Sequence, residues 1–204
     1  PADRVDLNLE VRERSTGDLV FGVGYSTVDA LISEITLNER NLLGRGQNLS
    51  LSFTLASKRQ QFDISLTEPY FLGRTLSAGV DLFSIRNDLQ STSSYTQNRR
   101  GFGLRSGFPL TTNLFTGIRY SLRQDIIEDV GVAASTVIAN QRGSRIVSTV
   151  GYSFSYDLRD DRFFPTEGYS LRFNQELAGL GGNVNYLRTS ASGQFHFSPF
   201  RRNV

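Results

Sequence analysis

The side chains in this 204-residue chain that could do chemistry are few, and their spacing argues against a reaction centre. Cysteine is absent and His196 is the single histidine, so no thiolate or histidine cluster can be assembled around a metal. No nucleophile elbow accompanies His196 either. Three carboxylates, Asp157, Asp160 and Asp161, lie close enough in sequence to hold a metal or share a proton. Arg159 and Arg162 stand among them, and a Phe-Phe-Pro-Thr-Glu-Gly stretch follows. The expected role is therefore to cap a turn and to pair with arginine, and the same is expected of Glu39 and Glu68. Gly22-Val-Gly24 lacks the third glycine and the helix of a dinucleotide loop. Asn48-Leu-Ser50 matches a glycosylation acceptor but falls inside a predicted strand. Neither cofactor nor metal nor enzymatic activity is expected.

Charge narrows the partners. Twenty-two basic residues nearly balance twenty acidic ones, which gives no reason to expect nucleic acid. All the basic residues except Lys58 are arginine. Guanidinium stays charged, forks onto carboxylates and stacks on rings, which suits a crowded polar lumen. Lys58, Arg59, Arg86, Arg99, Arg142 and Arg145 fall at or near one presumed rim, either as solvated loop charge or as a grip for lipopolysaccharide phosphates.

What must position these residues is a series of strands. Leu19-Phe21-Val23-Tyr25 alternates with Val20-Gly22-Gly24, and Val150-Tyr152-Phe154-Tyr156-Leu158 alternates with small or polar residues. A period of two belongs to strands and not to helices. Ten such segments are predicted near 18–26, 30–40, 47–57, 60–68, 75–86, 98–108, 113–124, 145–158, 168–177 and 185–198, after an opening strand at about 4–13. No run of about 18 apolar residues provides a membrane helix. The slightly negative mean hydropathy does not exclude a barrel, because half of each strand faces an aqueous lumen. The predicted fold is all-β, an antiparallel up-and-down transmembrane β-barrel. Its oily face points to lipid, and Asp81, Arg105, Arg119 and Asp157 point to the lumen. No charge is expected mid-strand on the outer face, where it would cost about 2–4 kcal/mol at the midplane. A soluble sandwich would show the same alternation with the oily face buried.

The connections fall into two alternating classes. One is rich in Gly, Pro and aromatics: Asn41-Leu-Leu-Gly44-Arg-Gly46, Glu68-Pro69-Tyr70-Phe71, Phe108-Pro109-Leu110, Phe163-Phe164-Pro165-Thr-Glu-Gly168 and Ser198-Pro199-Phe200. Such turns are structured, and their rings can anchor at an interface. The other class is polar and variable in length: 58–60, 87–97, 125–144 and 179–183. Barrels pair short periplasmic turns with longer external loops, and the alternation here does not slip.

Three of these turns resemble those of a known family. Asn41 to Gly46, Glu68 to Phe71, and Asp161-Arg162-Phe-Phe-Pro165-Thr-Glu-Gly168 are similar to the periplasmic turns of the BamA/TamA family of outer-membrane β-barrel insertases, most of all its BamA branch. Val5 to Glu13, Ser15-Thr-Gly17 and Phe21-Gly-Val-Gly-Tyr25 are similar to that family's junction between a periplasmic POTRA domain and barrel strand one. The resemblance implies a barrel of about sixteen strands, with residues 1–17 ending the last POTRA domain and 18–204 forming its first ten strands. The inward-folded external loop and the closing strands of the family have no counterpart here. It also implies export to the bacterial outer membrane, with the export signal upstream of residue 1. Unfolded barrel clients, periplasmic chaperones and accessory lipoproteins docking on upstream POTRA domains are the implied partners, with membrane lipid and lipopolysaccharide around the wall.

In that family strand one is the seam that templates an incoming client strand, which places the lateral gate at Leu19, Phe21, Gly22, Val23, Gly24 and Tyr25. The physics fits. An exposed strand edge offers unpaired N–H and C=O groups for β-augmentation, and Gly22 and Gly24 weaken strand order. The plainer alternative is that the two glycines only relieve crowding inside the barrel. The expected function is outer-membrane protein assembly, and its rivals are a polypeptide-secretion pore of the same superfamily, a passive porin-like channel and the soluble sandwich.

Overall fold

The structure is a computed structural model and describes residues 14–27 and 29–198. The opening strand at 4–13 and the Pro199-Phe200 turn lie outside the described residues. Ten strands form one sheet in sequence order: β1 (Gly17–Ser26), β2 (Ala30–Leu42), β3 (Gln47–Ala56), β4 (Arg59–Glu68), β5 (Ser77–Asp88), β6 (Thr96–Pro109), β7 (Leu114–Glu128), β8 (Gly143–Asp157), β9 (Glu167–Ala178) and β10 (Tyr186–Phe197). Every neighbouring pair is antiparallel. The two classes of connection therefore lie at opposite rims, as their alternation in the sequence requires.

Alternation becomes two faces through the register. One row of paired residues runs Leu19, Leu37, Leu51, Ile64, Leu82, Phe102, Leu122 across seven strands. The row beside it, on the other face, runs Asp18, Asn38, Ser50, Ser65, Asp81, Gly103, Ser121, Thr149. Nothing covers the oily face. Among the described residues the only buried apolar side chains are Ala56, Ile127, Val147 and Ala178, while Phe53, Leu82, Leu104 and Leu171 remain exposed. A sandwich would bury that face against a second sheet; the described residues form a single sheet, as a lipid-facing wall does. Edge contacts such as Tyr152 on Phe154, with ring centroids 5.6 Å apart, tie neighbouring positions of this face together.

The polar face is concave. One cavity of about 410 Å³ is lined from β4 to β10, by Thr67, Gly79, Arg105, Arg119, Glu176 and Arg188 among others. The sheet therefore curls around a lumen, with Asp81, Arg105 and Arg119 inside as expected. It does not close: β1 pairs only with β2, and β10 only with β9.

The strands differ from expectation mainly at the long-loop rim. β6, β7 and β8 run 14 or 15 residues, so part of the polar 125–144 segment is ladder and not loop. Asp125 explains it by accepting from Arg99 Nε and Arg123 Nε, both at 3.1 Å. Charge-assisted bonds of this kind let a polar stretch zip above the apolar band. The shortened loop carries a short helix, α1 (Thr136–Ala139), and docks on the β5–β6 loop, where Gly131 N donates to Ser94 O at 2.7 Å.

Candidate functional site

The strand proposed for the gate is one of the two edge strands of the sheet. Phe21, Val23 and Tyr25 are 67%, 78% and 79% exposed on the lipid side. Residues 19–25 carry only apolar side chains, glycine and Tyr25, so nothing but the β2 ladder holds them. A Cβ added at Gly24 meets nothing within 4 Å, and one at Gly22 meets only Glu34 Cβ at 3.7 Å. Crowding among the described residues thus does not call for these two glycines.

The start of β1, by contrast, is pinned. Thr16 Oγ1 donates to Glu39, and Asn38 Nδ2 donates to Asp18 Oδ2 at 3.2 Å. Glu39 also accepts from Asn41 N at 2.9 Å, and the Asn41 side chain accepts from Gly46 N at 2.7 Å. A register shift between Glu39 and Leu42 frees Asn41 to do this. Glu39 is therefore a hub between the residues that precede β1 and the 43–46 turn, and not an arginine partner as the sequence suggested. No local signal marked Thr16, because its contact is set by tertiary register.

The other two motif turns are built the same way. Glu68 accepts from Tyr70 N at 3.1 Å and from Gln47 Nε2 at 3.0 Å, which joins the first turn to the second. After Pro69, Tyr70 and Phe71 the chain reverses through Leu72 and Gly73 at positive φ. In the third turn Asp161 Oδ1 accepts from Phe163 N (2.6 Å) and Phe164 N (2.9 Å), and Asp160 Oδ1 accepts from Thr166 N (2.9 Å) and Glu167 N (3.1 Å). Those amides hold the Asp161 carboxyl below the ordinary carboxylate range, and Thr166 and Glu167 do so for Asp160. Asp157 forks onto Arg159, with Nε at 2.9 Å and Nη2 at 2.8 Å, leaving Arg162 exposed beyond them. Gly168, at φ +106°, closes the turn where a Cβ would lie 2.2 Å from Leu158 O. The three carboxylates face donors in three directions, and among the described residues no group of His, Cys, Asp or Glu has the spacing of a metal site.

Inside the lumen the main device is Arg105. It donates to Asp81 Oδ1 at 2.6 Å, to Ser65 Oγ at 2.9 Å and to Thr67, lying across Gly79. Phe115 lies in the same way over Gly107, where a Cβ would come within 2.7 Å of its ring. His196 faces Gly168 on the lumenal side, and its Nε2 has no hydrogen-bond partner among the described residues. Of the expected rim cations, Lys58 donates to Ser91 at 2.7 Å and Arg99 is held by Asp125.

Comparison with known proteins agrees with this architecture. The family model for the Omp85 superfamily domain matches residues 41–203. The outer membrane protein assembly factor BamA of Nitratidesulfovibrio vulgaris is 31% identical over 188 residues, which is 91% of this chain and 23% of that protein. A SAM50-like protein of Drosophila melanogaster is 32% identical over 179 residues, 84% of this chain and 40% of that protein. The chain thus spans 23% and 40% of these two relatives' own length. The crystal structure of BamA from Haemophilus ducreyi lacking POTRA domains 1–3 superposes with a TM-score of 0.68 at 22% identity, covering 89% of this chain and 37% of that one. That likeness shows the fold.

Proposed function

This chain belongs to the Omp85 superfamily, and from that premise we propose that it is the strand-templating part of an outer-membrane protein assembly factor. The observation that carries the reading is the contrast along β1. Its start is latched by Thr16 and Asp18, while Leu19 to Tyr25 is lipid-exposed, paired among the described residues with β2 alone, and carries two glycines that no described neighbour crowds. Such an edge can donate and accept a full ladder of backbone hydrogen bonds to an incoming strand, while Phe21, Val23 and Tyr25 keep contact with lipid. The work is scaffolding, without covalent chemistry: it lowers the barrier to strand insertion.

The names of the relatives support this reading, since BamA is described as an outer membrane protein assembly factor. The substrates are unfolded outer-membrane β-barrel chains, and the location is the bacterial outer membrane. Residues 1–17 are the end of a POTRA domain and its hinge, and 18–204 the first part of the barrel. Chaperones and accessory lipoproteins act through the POTRA domains upstream.

The test uses the complete protein in native membranes, with a photo-crosslinking residue at Phe21, Val23 or Tyr25 and a stalled barrel client. Adducts between β1 and the terminal strand of the client are expected. Adducts only within the barrel would mean that the edge stays shut, and a polypeptide-secretion pore of the same superfamily would take its place.

A further inference from the structure

The outward face is apolar from rim to rim on β1, but on β5 and β6 it is interrupted by two cations. Arg86 pairs in register with Asn98, and Arg100 with Ser84, so the two arginines are diagonal neighbours on the lipid side. Side chains in that relation stand roughly 7 Å apart at their roots, within joint reach of one anion. Both are exposed, and neither has an ion-pair partner among the described residues. The carboxylates nearest that rim are engaged elsewhere, Asp88 with Gln90 N at 3.0 Å and Glu128 with Asn98. Arg100 spends one N–H on Gln124, at 3.0 Å. Two unneutralised guanidinium groups side by side repel one another, and on a membrane wall arginine is tolerated only near the interface.

The surface around them has the shape of an amphiphile. A cleft of about 380 Å³ is lined by Gln60, Ser84, Arg86, Asn98 and Arg100, with Phe53 and Ile126 beside them. Directly toward the membrane centre lies a groove of about 510 Å³ floored by Leu82, Phe102 and Leu122. Phe62, Ser84 and Arg100 line both, so the two are continuous. We propose that Arg86 and Arg100 bind the phosphate of a membrane lipid in the leaflet at the long-loop rim, with its acyl chain lying along Leu82, Phe102 and Leu122. The forked donors of arginine match phosphate oxygens, and the groove below selects a lipid over a free ion. This site is half the sheet away from β1. It rests on the outward face fronting a bilayer and not on the templating role, so lipid retention and client assembly can fail separately.

The complete protein is purified in neutral detergent and its retained lipid is read by native mass spectrometry after incubation with dioleoyl phosphatidic acid, dioleoylglycerol or inorganic phosphate. Phosphatidic acid adducts are expected on the wild type, and adducts of dioleoylglycerol, which has the same chains without the phosphate, are not. R86Q/R100Q is expected to retain at least about tenfold less phosphatidic acid with its heat-modifiable mobility intact. R119Q, which removes one charge from the lumenal face, is expected to retain it. Equal retention by R86Q/R100Q overturns the proposal, and so does equal loss in R119Q. Stripping of the lipid by inorganic phosphate would show a free-ion site and overturn it as well.

Discussion

Gly101, Gly103 and Gly107 in β6 and Gly22 and Gly24 in β1 occupy the same kind of position, the lumenal side of an antiparallel strand. At Gly101 a Cβ would lie 2.4 Å from Leu122 O and 2.8 Å from Arg123 Cα, and at Gly107 it would enter the ring of Phe115. At Gly101 the strand needs glycine because β7 occupies the space, whereas a Cβ at Gly103 would come no closer than 3.6 Å to Tyr120 O. In β1 only β2 is beside Gly22 and Gly24 among the described residues, and a Cβ there would meet nothing closer than Glu34 Cβ at 3.7 Å. On the templating role proposed above, this contrast is what a wall that stays intact and an edge that exchanges partners would show. The same residue type thus stands in a crowded place at Gly101 and in an open one at Gly24.

The comparison breaks most visibly at Gly101. Gly101→Val forces backbone apart and is expected to destabilise the barrel by roughly 3 kcal/mol. The check is loss of heat-modifiable electrophoretic mobility together with a lower urea midpoint for the complete protein. If Gly24→Val did as much damage, the two strands would not differ in the way described.

Next in size is the double substitution Gly22→Val with Gly24→Val. Valine fits both sites and favours the strand by about 1 kcal/mol each, so the barrel should fold normally. Assembly of a barrel client, timed in reconstituted vesicles, should slow by roughly tenfold as the edge opens less often. Unchanged rates in a folded double variant would remove the templating reading of β1.

A smaller effect is expected inside the wall. Arg105→Leu leaves Asp81 without its cation and Ser65 and Thr67 without a donor. Both ion-pair partners are about one third exposed, so water recovers part of the loss and about 1 kcal/mol is expected, read as a lowered thermal midpoint. Client assembly should not change, because β1 is untouched.

The smallest effect concerns the 158–167 turn. The folded Asp160 and Asp161 carboxyls sit below their ordinary range. Their contribution is therefore complete above that range and is lost as pH falls through the depressed values. The amide resonances of Phe163, Phe164 and Thr166 should stay fixed from pH 7 to 5 and begin to move only below about pH 4. Movement between pH 7 and 5 would mean that the caps described for these two carboxylates do not form.

Much of this was legible before any coordinates. The strand-by-strand alternation set the two faces, and the turn residues set the alternation of rims. Asp160 and Asp161 were readable as caps because an Asx turn is a local device. Glu39 was readable only as a turn residue. Its partner Thr16 lies 23 positions away, and no local pattern encodes that distance. The extension of β6 to β8 was missed for a related reason. Asp125 looks like loop until Arg99 and Arg123 are placed beside it.

The sequence by itself determined which side chains share a face and where the chain reverses, because a period of two and the φ demands of turns are local physics. Register is nonlocal: a slip of one residue moves every side chain to the other face, and a slip of two changes every partner. Only the tertiary structure decided that Arg105 lies on Gly79, that Phe115 covers Gly107, and that Arg86 and Arg100 stand diagonal to one another on the outward face. It also decided why glycine stands at Gly101, because the backbone of the neighbouring strand occupies the volume that a side chain would need there.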